Sequence, residues 1–390
     1  LAIPPILKGM MTAGDFRDRP NIPWYIWLAA LAVTSAIVGI QWDISWHRSI
    51  GRDAFLTPAH IAIYMCGILA AVFCGYLIFG ATFANTAWRA ATVNIWGLRG
   101  PVGAFVAAWG GFAMLTSAPF DDWWHGAYGL DVKILSPPHV VLALGIFAIE
   151  GGTGLLVASH RNRANAKQRK MLDWMFLYVG GMGLLLAMSL ILEYSGLPLQ
   201  HNTLFYQAMC VPVPFVLTLV AYASGKRFAA SIVAGIYTIF TLGMVWILPL
   251  FPAEPKLGPV YHQVTHFVPA GFPLLLIVPA LAMDVFWARF RAMNDWLKSA
   301  ISAVLFLALL VAAQWPFANF LYSPAARNWF FDSDDFDYLT GPNATIARHA
   351  FYGTQTSKDF WIGMALAVVW AFLSVRLGMA RGKSLREVQR

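Results

Sequence analysis

The sequence predicts an all-α polytopic membrane protein of about ten transmembrane helices, on three observations. Of 390 residues, 59% are apolar and only 12% charged, a balance outside the range of ordinary soluble domains. Mean hydropathy is positive and seventeen residues are tryptophan, a residue that gathers at membrane interfaces. The apolar residues also fall in runs of about 17 to 25, long enough to cross the hydrocarbon core as helices.

Ten such runs are readable, near 23–41, 58–80, 101–118, 137–158, 171–192, 204–223, 228–249, 267–288, 298–315 and 359–379. Basic residues collect in short stretches between them: Lys8, Arg17 and Arg19; Arg89 and Arg99; Arg161 to Lys170; Lys226 and Arg227; Arg289 and Arg291; and the tail from Arg376. Under the positive-inside rule these stretches are cytoplasmic, and with ten spans both termini are cytoplasmic too. The net charge of +8 is thereby assigned to topology, and no nucleic-acid partner is expected. Cys66, Cys74 and Cys210 have no Cys-x-x-Cys spacing and read as buried thiols.

Two stretches on the outer side nearly repeat each other. The first reads Asp43-x-x-Trp46-His47, Gly51, Asp53, Pro58-x-His60; the second reads Asp121-x-x-Trp124-His125, Gly129, Asp131, Pro138-His139. Aspartate and first histidine are four apart, one helical turn, so their side chains share a face. The second histidine follows Thr57-Pro58 in one copy and Ser136-Pro137-Pro138 in the other; a hydroxyl residue followed by proline marks a helix start. Spans one and two, then three and four, thus form a parallel two-helix repeat. Residues 1–160 are expected to be a duplicated metal-cassette unit, and 161–390 a second helical unit with a long outer segment at 316–358.

Each cassette offers two imidazoles and one carboxylate and leaves coordination positions open, as a reactive metal centre requires. The donors themselves admit copper, zinc or iron. Asp53 and Asp131 each lie six residues beyond the first histidine and suit an acceptor for an imidazole N–H, or an ion pair with Arg52 or Lys133. Glu150, inside the fourth span and three turns beyond His139, reads as a proton relay or as a protonated group hydrogen-bonded between helices. The plainer reading of the cassettes is a set of interfacial hydrogen-bonding groups within an aromatic belt. His262 and His266 share helical spacing without a fitting carboxylate, and His201 and His349 have no partner pattern. The acidic, aromatic stretch Asp332 to Asp337 reads as a solvated loop, a partner surface or a cover over the membrane sites. No nucleotide-binding glycine motif or Cys-x-x-Cys-His haem signature is present in the sequence.

The run Asp43 to His60, with Asp-x3-His-x12-His and Arg52-Asp53-x3-Thr57-Pro58-x-His60, resembles the metal-binding stretch of the C subunit of copper membrane monooxygenases, the particulate methane and ammonia monooxygenases. That family's second ligand set, Asn-x3-His-x13-His, is similar to Asp121, His125 and His139, with aspartate replacing asparagine. The resemblance covers about the first half of the chain. It implies copper at Asp43, His47 and His60, a second metal at Asp121, His125 and His139, and oxidation of a hydrocarbon or ammonia by dioxygen. It further implies other membrane subunits, a periplasmic cupredoxin-like subunit, a trimeric assembly, and a bacterial inner or intracytoplasmic membrane with the metal sites toward the periplasm. The carboxylate at 121 makes zinc or iron alternatives there. A metal or small-solute transporter and a non-catalytic scaffold subunit of a membrane oxidase complex are the competing readings.

Overall fold

A computed structural model describes residues 22–389 apart from 53, 85, 130–135, 332–335 and 354. The chain is an all-α polytopic membrane protein. Nine helical segments among the described residues are long and apolar enough to cross a membrane. Four come from α1 (Trp24–Ser49), α2 (Pro58–Phe83), α3 (Val102–Tyr128) and α4 (Pro137–Arg163), with a small hairpin of β1 (Val93–Ile95) and β2 (Leu98–Gly100) before α3. Next come α5 (Ala166–Leu190), the single turn α6 (Leu192–Ser195), and the joined pair α7 (Thr203–Cys210) and α8 (Pro212–Ser224). Then follow α9 (Ala229–Ile247), α10 (Ile277–Arg289), α11 (Asp295–Leu321), α12 (Thr345–Tyr352) and α13 (Ser357–Leu385).

The difference from ten spans lies at 267–288. That stretch is not one helix: residues 267–276 are non-helical, and α10 has only 13 residues, about 20 Å of helix against a core of about 30 Å. Pro269, Gly271 and Pro273 account for the break. Proline removes a backbone donor and clashes with the preceding turn, and Gly271 has φ +109°, closed to most side chains. Three of the segment's backbone donors are met by side chains instead. Val268 N–H donates to Ser49 Oγ at 2.7 Å, Leu274 N–H to Tyr237 Oη at 3.4 Å, and Leu275 N–H to Gln314 Oε1 at 2.9 Å. Irregular backbone in an apolar setting persists only when satisfied in this way.

Packing divides the chain otherwise than at residue 160. One compact unit contains the described residues up to Ala36, Ala62–Val179 and the C-terminal tail from Ser384; the other contains Ile37–Ile61 and Gly180–Lys383. The first cassette therefore packs with the second half of the chain. Its anchor is the end of α1, where Ile50 joins Leu248, Ala253 and Phe267 in a buried cluster with Trp42 and Trp46 against it.

In the first unit α3 and α4 approach backbone to backbone. A Cβ on Gly103 would fall 2.4 Å from the Gly152 carbonyl oxygen, and one on Gly110 2.4 Å from that of Gly145; small residues permit such contact in membranes. His160, in the last turn of α4 beside Arg161, is buried. Its Nδ1–H donates to the Leu156 carbonyl at 2.9 Å and its Nε2 accepts from Tyr25 Oη at 2.9 Å. Cys66, Cys74 and Cys210 are free and buried, as expected.

Candidate metal centres

The first donor set spans the end of α1 and the first turn of α2. Asp43 and His47 lie one turn apart on α1, and His60 is the third residue of α2. Thr57 starts α2 as its sequence suggests, accepting the His60 backbone N–H on Oγ1 at 3.2 Å. The two carboxylate oxygens of Asp43 face different rings: Oδ1 is 3.3 Å from His60 Nε2, and Oδ2 is 3.8 Å from His47 Nε2. Asp43 Oδ1 is buried and accepts no hydrogen bond among the described residues. The His47 side chain is 45% exposed, and these three residues do not form one of the convergent donor groups found among the described residues.

The second set occupies the corresponding places on α3 and α4. Here a single oxygen, Oδ1 of Asp121, faces both rings, 3.6 Å from His125 Nε2 and 3.5 Å from His139 Nε2. All three donor atoms lie within 4.8 Å of one another and each residue is half-buried. Ligands about 2.1 Å from a tetrahedral ion sit about 3.4 Å apart, so these separations fit one ion shared by three residues. The register that brings His139 opposite Asp121 is set by the glycine contacts between α3 and α4.

Hydrogen bonds select the ring nitrogen that faces each aspartate. His60 Nδ1 lies 3.0 Å from the Ala54 carbonyl oxygen, and His125 Nδ1 lies 3.0 Å from that of Gly129. A carbonyl only accepts, so both Nδ1 atoms carry the proton and Nε2 is turned to the carboxylate. With neutral rings, each Nε2 lone pair faces a carboxylate oxygen, an arrangement that a shared cation resolves. With charged rings the same contacts are ion pairs. The donor chemistry and spacing at the second set are those of a site that could hold a divalent metal.

Asp53 and Asp131, the expected acceptors for an imidazole N–H, lie outside the described residues. Backbone carbonyls of Ala54 and Gly129 take that role, which composition does not signal. Position does: Gly51 and Gly129 each follow the first histidine by four residues, with φ +83° and +85°, and end the helix in the region open to glycine. Glu150 is buried within α4. His262 and His266 are not part of a group of three metal donors found among the described residues. His201 is held between Trp315 and Phe351, ring centroids 4.2 Å from each; this burial lowers its pKa from the usual histidine value. Asp337 and Tyr338, from the described part of the outer segment, pack near the first set: the Tyr338 N–H donates to the Arg48 carbonyl at 3.1 Å. Burial raises the Tyr338 pKa, with Asp337 adding to the shift.

Fold and donor sets together define a polytopic helical membrane protein with one convergent Asp/His/His group, Asp121, His125 and His139, among the described residues, and a looser set of the same residue types at Asp43, His47 and His60. No family model, curated protein or solved structure matches the chain.

Proposed function

We propose that this chain is a membrane metalloprotein, a subunit or homologue of a copper-dependent membrane monooxygenase that oxidises a small substrate, a hydrocarbon or ammonia, with dioxygen. One observation carries the reading: at two separate helix junctions an aspartate and two histidines are gathered with Nε2 toward the carboxylate and, in each set, one Nδ1–H held by a backbone carbonyl. Asp121, His125 and His139 would hold one ion, and Asp43, His60 and a turned His47 a second. Copper bound there would supply the one-electron redox chemistry that reaction with dioxygen requires.

The chain's own groups then bind and orient. Ala54 and Gly129 fix the ring tautomers, and Phe120, Trp123, Trp124 and Tyr128 make an aromatic collar beside the second set. This collar supports entry of an apolar substrate from the lipid. Glu150, below His139 on α4, is assigned to holding a proton for that set. Residues 267–289 serve as a tenth crossing, part extended and part helical, which keeps both termini cytoplasmic and both donor sets periplasmic in a bacterial inner or intracytoplasmic membrane. The first four spans pair as a parallel two-helix repeat. Other membrane subunits and a periplasmic cupredoxin-like subunit would complete the complex, as a trimer.

The test is metal analysis with X-ray absorption on purified wild type, His47→Ala and His125→Ala, followed by oxygen uptake with methane or ammonia. Copper with nitrogen and oxygen ligation, reduced by each substitution, together with substrate-dependent oxygen uptake, supports the proposal. Metal content untouched by both substitutions overturns it. Metal flux through proteoliposomes without oxygen uptake replaces it with a transporter, and metal loss coupled only to complex yield replaces it with a scaffold.

A further inference from the structure

In the second unit α10 and α11 leave an open groove between them, lined by Ile277, Leu281 and Val285 of α10 and by Leu305 and Leu309 of α11, with Arg289 at one end. Arg289 is the one polar side chain in that lining among the described residues. Ile277, Leu281 and Val285 recur every four residues, so they share a face, and they are 41%, 48% and 53% exposed. From Ile277 to Arg289 the α10 side runs about 18 Å. The groove is thus long and apolar, with a single charge at one end.

That charge is open to a ligand. Arg289 is exposed in the last turn of α10; its guanidinium lies 5.5 Å over the Phe290 ring and has no hydrogen bond or ion pair among the described residues. Between 277 and 321 the chain has two carboxylates, Asp284 and Asp295, and both are engaged elsewhere. Asp284 accepts from Ala230 N–H at 3.3 Å, Ser231 N–H at 2.8 Å and the Ser231 hydroxyl at 2.7 Å, and Asp295 pairs with Lys383. The Asp284 contacts tie the start of α9 to α10 and bring the exposed Lys226–Arg227 turn to the same end as Arg289. Lys298 of α11 adds a further cation there, its Nζ donating to the Arg291 carbonyl at 3.0 Å.

Within a bilayer, acyl chains are as apolar as leucine, so apolar contact by itself selects no lipid. Selection has to come from the charged end. A guanidinium fork matches phosphate oxygens, and basic positions between spans recruit anionic headgroups. The surrounding cations oppose a headgroup that carries its own ammonium. We propose that this groove seats one anionic phospholipid, an acyl chain lying along α10 and α11 and its phosphate on Arg289. An arginine that only extends its stem to reach water would show no such preference. The site is independent of the metal reading.

Native mass spectrometry of the full chain in detergent tests this, titrating phosphatidylglycerol against phosphatidylcholine with the same acyl chains. One phosphatidylglycerol should bind at least about fivefold tighter than phosphatidylcholine. Arg289→Gln should bring the two lipids to equal affinity. Ala282→Phe, which fills the groove without altering a charge, should weaken phosphatidylglycerol by about fivefold or more. Arg291→Gln removes the same charge from outside the groove lining and should change that affinity by no more than about twofold. Glycerol phosphate, the headgroup without its chains, should not displace the lipid. Should Arg289→Gln fail to fold, Ala282→Phe and Arg291→Gln decide the matter. Equal binding of the two lipids by wild type, selectivity retained in Arg289→Gln, wild-type affinity in Ala282→Phe, equal losses in Arg291→Gln and Ala282→Phe, or displacement by glycerol phosphate would each overturn the proposal.

Discussion

The two donor sets share residue types, spacing and a glycine turn, yet their surroundings differ. Around the first, Trp46 donates to the Arg52 carbonyl, Lys256 N–H donates to the Ile50 carbonyl, and Tyr338 packs over Gly51. The position four beyond Trp46 is Ile50, 7% exposed; the equivalent position beyond Trp124 is Tyr128, 67% exposed, with Trp123 at 57%. The embedded set nonetheless has its donors splayed, one carboxylate oxygen to each ring, whereas the open set has both rings on one oxygen. Burial of the scaffold and convergence of donors are thus separate properties. The convergent set is the one whose helices, α3 and α4, meet through glycines.

The largest expected effect is on metal retention. Graded chelation should strip the Asp43 set well before the Asp121 set, so that His125→Ala protein empties at low chelator while His47→Ala protein keeps its ion; elemental analysis of the two variants reads this directly. The opposite order would break the link between convergence and affinity. Widening the helix contact sharpens the same point: Gly110→Val should lower metal retention at the Asp121 set while leaving the Asp43 set unchanged.

Smaller effects come from the turns. Gly51→Ala would place a Cβ 2.0 Å from Tyr338 Oη and force a side chain into a positive-φ conformation, costing about 2–5 kcal/mol in combined strain and overpacking. Gly129→Ala meets nothing within 4 Å and carries only the backbone strain, about 1–3 kcal/mol. Thermal unfolding of the two variants should rank them in that order.

The smallest effect is on the pH dependence of stability. Acid releases metal from both sets, because histidine must be neutral to bind. In the second unit, His201 has a folded pKa lowered below its unfolded value of about 6.5. Its contribution to stability is present above that unfolded value and is lost as pH falls through the folded pKa. His201→Phe, which keeps an aromatic ring between Trp315 and Phe351, should flatten the decline in thermal stability below pH 6.5; an unchanged decline would remove His201 as its source.

Much of the donor arrangement was legible in the chain because it is local. Asp43 and His47, or Asp121 and His125, meet through one turn of helix, and Thr57-Pro58 and Ser136-Pro137 do start helices. The orienting carbonyls of Ala54 and Gly129 were not legible, since a backbone acceptor leaves no mark on residue type. The glycine contacts left a faint one: Gly103 with Gly110, and Gly145 with Gly152, are each seven apart on their helices. Hydropathy read 267–288 as one span because an apolar run is the same count whether helical or not, although Pro269, Gly271 and Pro273 stand within it.

By itself, the sequence determined that the chain is helical and membrane-embedded, where nearly every long span lies, and which aspartates and histidines share a turn of helix. Those properties depend on composition and on contacts within a turn or two. Tertiary structure alone decided that Ile37–Ile61 packs with the second half of the chain, that Asp121 faces both its histidines through one oxygen while Asp43 divides its two, and that α10 and α11 leave a groove ending at Arg289. These depend on which distant surfaces bury one another, and residues such as Ile50 and Phe267, far apart in the chain, carry no local signal of their pairing.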